Sequence, residues 1–101
     1  MIIIAGTVRI EPQDREVAVA AMAEMMAETQ KEDGCVSYVF SADLHDDTRF
    51  HLFEEWETRE HLEAHFSTPH MAVFQERLAG IGERVVDISQ YEATTKGPLG
   101  S

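Results

Sequence analysis

A chain of 101 residues makes one domain, and its 44% hydrophobic content lies in the globular range. Nineteen acidic residues against eight basic ones give a net charge of -11, which argues against nucleic acid and anionic membranes as partners, because both demand a basic surface. The same charge disfavours an anionic substrate unless Arg9, Arg49 or Arg84 is placed to receive it.

No apolar run approaches the roughly 20 residues of a membrane helix, and Met1-Ile2-Ile3-Ile4-Ala5 is too short for a signal peptide, with no basic residue before it. The single cysteine, Cys35, has no partner for an internal disulfide. It reads as a small buried apolar group, and a cytoplasmic location is the default expectation.

The β-branched stretch Ile2 to Ile10 predicts a first strand, ended at Glu11 because Pro12 forces that residue out of the helical region. A helix from about Gln13 to Glu32 follows, with Val17, Ala21 and Met25 beside Ala18, Met22 and Met26 at helical spacing, and Gly34 as its left-handed cap. Cys35 to Ala42 predicts a second strand, with Val36, Tyr38 and Phe40 on one face and Cys35, Ser37 and Val39 on the other. The polar turn Asp43 to Thr48 joins it to a third strand, Phe50 to Trp56. Thr58 caps a short helix through Leu62 to Phe66. Thr68-Pro69 starts another, whose stripe is Met71, Phe74, Leu78 and Ile81, ended by Gly80 and Gly82. Val85 to Glu92 is the last strand. Residues 93–101 read as a disordered tail, and Gly97-Pro98-Leu99-Gly100-Ser101 as a cloning remnant outside the single domain of residues 1–92.

The order β-α-β-β-α-α-β is the ferredoxin-like, α+β arrangement: a four-strand antiparallel sheet with helices on one face. The other face of such a sheet is polar in a chain that works alone. Here the first strand carries Ile2, Ile4, Val8 and Ile10 on one side and Ile3 and Ala5 on the other. The third carries Phe50, Leu52 and Trp56 on one side and Phe53 on the other. Two apolar faces predict a homodimer, sheet against sheet under a two-fold axis.

Three segments form a pattern: Gly34-Cys35-Val36-Ser37-Tyr38, then Phe53-Glu54-Glu55-Trp56-Glu57, then His61-Leu62-Glu63-Ala64-His65-Phe66-Ser67-Thr68-Pro69-His70-Met71. In order and spacing they resemble the antibiotic biosynthesis monooxygenase family, over about residues 2 to 92. The resemblance implies a dimeric α+β barrel and, as the best-known activity, cofactor-free oxygenation of quinols, anthrones and related aromatics. Isomerisation of small carbonyl metabolites is the alternative it implies, and a non-catalytic small-molecule-binding dimer stands beside both.

Cofactor-free oxygenation needs a base to deprotonate a phenol or enol, a dry apolar pocket, and donors for the developing oxyanion. The partners are then a small aromatic substrate and O₂, with no cofactor and no metal. His65 matches the family's histidine after the third strand and is the expected base. Tyr38 is the second catalytic candidate, orienting or donating to the substrate oxygen. Trp56, His70, Met71 and Phe74 are the candidate substrate-binding residues. Glu54, two before Trp56, reads as a salt-bridge or loop-anchoring group. His61 and His65, four apart, share a helix face that can hold a metal, yet no carboxylate motif or cysteine pair completes such a site. His45 and His51 read as surface groups. Haem-degrading relatives use an Asn on the first strand, a Trp where His65 stands and a His on the next helix. This chain has no Asn at all and carries Phe74, Gln75 and Glu76 where that His belongs.

Overall fold

The computed structural model describes residues 1–100. The elements are β1 (Ile2–Arg9), a 3-10 turn (Pro12–Asp14), α1 (Arg15–Thr29), β2 (Cys35–Ala42), β3 (Arg49–Trp56), α2 (Arg59–His65), α3 (Pro69–Ala79) and β4 (Val85–Glu92). All strand pairs are antiparallel, in the order β2-β3-β1-β4. This is the expected ferredoxin-like arrangement, and residues 94–100 add neither helix nor strand. Ala93 extends the sheet by one step, because its N–H donates to the Met1 carbonyl at 2.9 Å.

Register aligns the side chains that face the helices. Cys35, Trp56 and Ile2 lie in one row, Tyr38, Glu54 and Ile4 in the next, then Phe40, Leu52 and Gly6, then Ala42, Phe50 and Val8. A side chain at Gly6 would run into the β4 backbone at Asp87 and Ile88, so glycine permits the close β1–β4 approach there. The hairpin turn between β2 and β3 is closed by Asp43, whose carboxylate accepts from the His45 and Asp46 amides at 2.8 and 3.1 Å.

Two expectations from alternation are corrected. β2 carries a bulge between Cys35 and Ser37, so Val36 has no partner of its own on β3. The extra residue shifts the phase: Val36 is exposed, while Cys35 packs with the core beside Tyr38 and Phe40. On α1 the buried stripe is Ala18, Ala21, Met22, Met25 and Thr29, and Val17 is exposed.

The helix also ends at Thr29, three residues short of Glu32. Residues 30–34 form a tight turn in which Glu32 N–H donates to the Thr29 carbonyl at 3.0 Å. Gly34 is left-handed (φ 78°), as expected, but closes this turn and not the helix. A side chain there would also strike the His61 ring, so the position excludes one on two grounds.

Two buried clusters fill the helix side of the sheet. One joins Ile2, Met25, Tyr38, Leu52, Trp56 and Leu62; the other joins Val8, Ile10, Ala18, Met22 and Phe50. Phe40, Phe74 and Ile88 touch both. The opposite face is uncovered: Val39, Phe53 and Tyr91 project from it at 38%, 42% and 53% exposure, beside Ile3 and Ala5. Among the described residues no helix is long and apolar enough to cross a membrane.

Candidate active site

The site is assembled at the junction of α2 and α3. Thr58 caps α2, its hydroxyl accepting from the His61 amide at 3.2 Å, which sets the helix phase so that Leu62 and His65, three apart, turn inward together. Thr68 then serves both helices. Its hydroxyl donates to the His65 carbonyl at 2.8 Å and accepts from the Met71 amide at 3.3 Å, so the end of α2 and the start of α3 are tied at one side chain. This brings His65 and His70 within 6.1 Å, centroid to centroid. On the other side, the 30–34 turn is pinned to the end of β3 by the Glu57 amide, which donates to the Gly34 carbonyl at 2.9 Å. That turn aims Glu32 at both rings.

Glu32 is the residue that joins them. Its Oε2 lies 2.7 Å from His65 Nδ1 and 2.7 Å from His70 Nε2. A carboxylate only accepts, so His65 carries its hydrogen on Nδ1, and the neutral ring presents its lone pair on Nε2. His65 is 1% exposed and sits between aromatic rings, with centroids 4.9 Å from Trp56 and 5.6 Å from Tyr38. Burial lowers its pKa from the usual histidine value, and the Glu32 hydrogen bond opposes that shift.

His65 is in the wall of a cavity of about 250 Å³ between the sheet and the α2–α3 pair. Apolar groups dominate the rest of the lining, among them Phe40, Leu52, Met71, Phe74 and Ile88. Five side chains bring polar chemistry to it: Tyr38, Glu54, His65, Gln75 and Arg84. Among the described residues, the only side-chain nitrogen or oxygen that is both buried and unpartnered is Thr29 Oγ1. Tyr38, Glu54 and His65 all line the cavity, and Trp56 and Glu32 occupy only one polar atom each of Glu54 and His65.

Glu54 departs from the sequence expectation of a salt bridge or loop anchor. The alternation Phe50-Leu52-Glu54-Trp56 places it on the buried face, at 6% exposure, with no cation beside it. Its Oε1 accepts from Trp56 Nε1 at 2.9 Å. Burial pushes its pKa up to about 7, against the pull of the Trp56 hydrogen bond. Burial first, then the charges of Glu54 and Glu32, raise the pKa of the Tyr38 hydroxyl, so it acts as a protonated donor.

Of the residues singled out from sequence, Tyr38, His65, Met71 and Phe74 line the cavity. Trp56 is fully buried behind them and fixes Glu54. His70 stands behind His65 and fixes Glu32. Arg84 is the cavity's one arginine, and its guanidinium donates to the Leu78 carbonyl at 2.8 Å. The His61–His65 pair does not form a site: His61 Nδ1 instead lies 2.8 Å from the Thr58 hydroxyl. The donor atoms of Glu32, His65 and His70 lie within 4.8 Å of one another, a set of two imidazoles and a carboxylate that suits a zinc-like divalent ion. His45 and His51 are exposed on the hairpin, as expected, and Cys35 is half-buried with its thiol pKa raised by burial. Glu32 carries no local signal in the sequence, since its partners come 33 and 38 residues later. Glu54 does carry one: it is a lone acid in the apolar phase of an alternating strand.

Fold and site together define a small α+β protein with a histidine-bearing apolar cavity. The sequence pattern of the antibiotic biosynthesis monooxygenase family matches residues 1–77, and the chain belongs to that family. The Escherichia coli K12 protein named "Probable quinol monooxygenase YgiN" is 29% identical over 90 residues, covering 79% of this chain and 86% of that one. The uncharacterised Synechocystis protein sll1783 is 31% identical over 91 residues, which are 90% of this chain but 62% of the relative's length. A Deinococcus radiodurans protein superposes over 100% of both chains with a TM-score of 0.89 at 23% identity, which establishes the shared fold.

Proposed function

We propose that the chain is a cofactor-independent monooxygenase acting on a quinol or another hydroxylated aromatic. The observation that carries the proposal is His65: a buried imidazole, held by Glu32 through Nδ1, whose free Nε2 opens onto an apolar cavity. Family membership and the similarity to the E. coli protein support the same reading. Nε2 takes the phenolic or enolic proton, and the resulting anion is electron-rich enough to pass an electron to O₂. Recombination forms a carbon–oxygen bond as a hydroperoxide. Loss of water then leaves one oxygen atom in the product as a carbonyl and the other in water. Tyr38 donates to the substrate oxygen as charge develops there. The walls of Met71, Phe74 and Phe40 accept a flat ring and keep water from the reduced oxygen species. The cavity is at the small end of ligand pockets, which favours one- or two-ring substrates over larger polycycles.

The test is oxygen uptake with a panel of quinols and anthrones, without added metal or flavin. Uptake that requires His65 supports the reading; no uptake with any member of the panel overturns it.

A second reading is favoured by Glu54. A carboxyl group that holds its proton near neutral pH, in the same cavity as a base, is the pair that an isomerase of small carbonyl compounds requires. Exchange of substrate α-hydrogens with solvent, in the absence of oxygen consumption, distinguishes it.

We assign the open face of the sheet to a second copy of the chain, supported by exposed Phe53, Val39 and Tyr91 beside Ile3 and Ala5. A monomer at micromolar concentration by light scattering overturns this assignment.

A further inference from the structure

Three donors from separate parts of the chain meet behind the cavity wall. Glu32 comes from the 30–34 turn, His65 from the end of α2 and His70 from the first turn of α3. Glu32 Oε2 is 2.7 Å from His65 Nδ1 and 2.7 Å from His70 Nε2, and the three donor atoms lie within 4.8 Å of one another. Each is held from behind. Thr68 ties the two helix ends together, and the Glu57 amide pins the turn. The set is therefore in place before any ligand arrives, as a metal site requires.

The charges around it favour a cation. Glu32 is 13% exposed, yet its ion-pair partners among the described residues are the two imidazoles, with no lysine or arginine. Neutral imidazoles give it hydrogen bonds but no positive charge, and an ionised carboxylate taken out of water is stabilised by one. Two imidazole nitrogens and a carboxylate oxygen are ligands of the zinc class, bound at about 2.0–2.2 Å. Around a tetrahedral ion such donors stand roughly 3.3 Å apart, so each hydrogen-bonded separation has to widen by about half an ångström, a shift that a flexible glutamate side chain can make. Three protein ligands leave a fourth position for water on the side where Glu32 and His70 are part-exposed.

We propose that Glu32, His65 and His70 form a binding site for a zinc-class divalent cation, and that the bound ion switches off the cavity base. A metal takes the lone pair of His65 Nδ1, the nitrogen whose hydrogen is given to Glu32 in the free chain. That hydrogen has to leave Nδ1, and the neutral ring then carries it on Nε2. The proposed base changes from acceptor to donor. His70 changes in the opposite sense, its hydrogen leaving Nε2 for Nδ1. Both exchanges run through water, each ring keeps one hydrogen, and no electron moves. The switching rests on the monooxygenase reading; the site itself does not.

The experiment adds Zn²⁺ to the untagged, intact chain at one fixed pH, followed by calorimetry and by NMR of the imidazole nitrogens. Saturable binding of one ion per chain is expected, and its absence overturns the proposal. As zinc is added, the hydrogen of His65 should move from Nδ1 to Nε2 and that of His70 from Nε2 to Nδ1. An unchanged hydrogen position on either ring at saturating zinc overturns the proposal, with no variant needed. His70→Gln and Glu32→Gln should each weaken binding by about a hundredfold or more, since losing even an outer-shell partner costs roughly 10- to 100-fold. His51→Gln removes the hairpin imidazole that lies 2.8 Å from Asp43, and should leave the affinity as it is. Binding lost in His51→Gln and kept in His70→Gln would place the ion on the hairpin and overturn the site. Where a variant does not fold, the hydrogen positions in the wild type decide. Where uptake is measurable, zinc should abolish it with a midpoint that matches the calorimetric affinity, and full uptake with the site filled overturns the switch. Zinc binding at these residues in a chain that oxidises no quinol would support the site while overturning the monooxygenase reading. Quinol oxidation by a chain that binds no zinc would do the reverse.

Discussion

The two faces of the sheet are built from the same strands and do different work. On the helix side, Trp56, Tyr38, Glu54 and Leu52 are closed over by α1, α2 and α3, and the indole nitrogen of Trp56 finds its partner in the Glu54 carboxyl group. On the open side, Phe53, Val39 and Tyr91 are as apolar as a core, yet no element of the chain covers them. Burial on the first face shifts the pKa values of Glu54, Tyr38 and His65. The proposed chemistry therefore belongs to the helix side, and the proposed association to the other.

The largest expected effect that tests this division is His65→Gln. Loss of the base should lower quinol-dependent oxygen uptake by roughly 10²- to 10⁴-fold. Thermal melting and light scattering should show the fold and the dimer retained. Undiminished uptake removes His65 from the mechanism.

Trp56→Ala comes next. It should destabilise the fold by about 3–5 kcal/mol in denaturant titration, because it opens a cavity in the core and also strips Glu54 of its donor.

Glu54→Gln sharpens the electrostatic half of the comparison. The folded pKa, about 7, lies above the ordinary 4.5, so folding favours the protonated form. Its contribution is fully present below about pH 4.5 and is lost as pH rises through about 7. The variant should therefore be more stable than the wild type at pH 8, by something of the order of 3 kcal/mol, with the gap closing toward pH 4.5. A gap that does not change with pH would mean that Glu54 is ionised throughout.

On the open face the same kinds of change should act on association. Phe53→Glu should weaken the dimer by about ten- to a hundredfold in sedimentation, the equivalent of one aromatic side chain's burial, while secondary structure is unchanged. Val39→Thr is the smallest expected effect. It should alter the stability of the isolated subunit by no more than about 0.5 kcal/mol. A large loss of subunit stability there would mean that the face is not open.

Much of the architecture was legible residue by residue. The strand at Cys35–Ala42, the caps Thr58 and Thr68, and the helix start at Pro69 all lie where the sequence places them, because each depends on side chains within a few positions. Three features were not legible. The bulge at Val36 depends on pairing with β3, so simple alternation puts Cys35 and Val36 on the wrong faces. The early end of α1 depends on the 30–34 turn, which is held by the Gly34 carbonyl's bond to Glu57 on a distant strand end. Glu54 was half legible: its phase in β3 marks it as inward, but only the missing cation and the cavity show that it is no salt bridge.

His65 could be picked from its pattern of neighbours in the chain, and so could the four strands and their order, because periodicity, caps and turn residues act locally. What His65 can do was decided by the tertiary structure. Its tautomer comes from Glu32 and its burial from the Trp56 and Tyr38 rings beside it, groups gathered from a turn and two strands that only packing brings together. The physical reason is range: backbone preferences extend over a few residues, whereas a hydrogen bond at 2.7 Å between groups 33 residues apart exists only after the chain has folded.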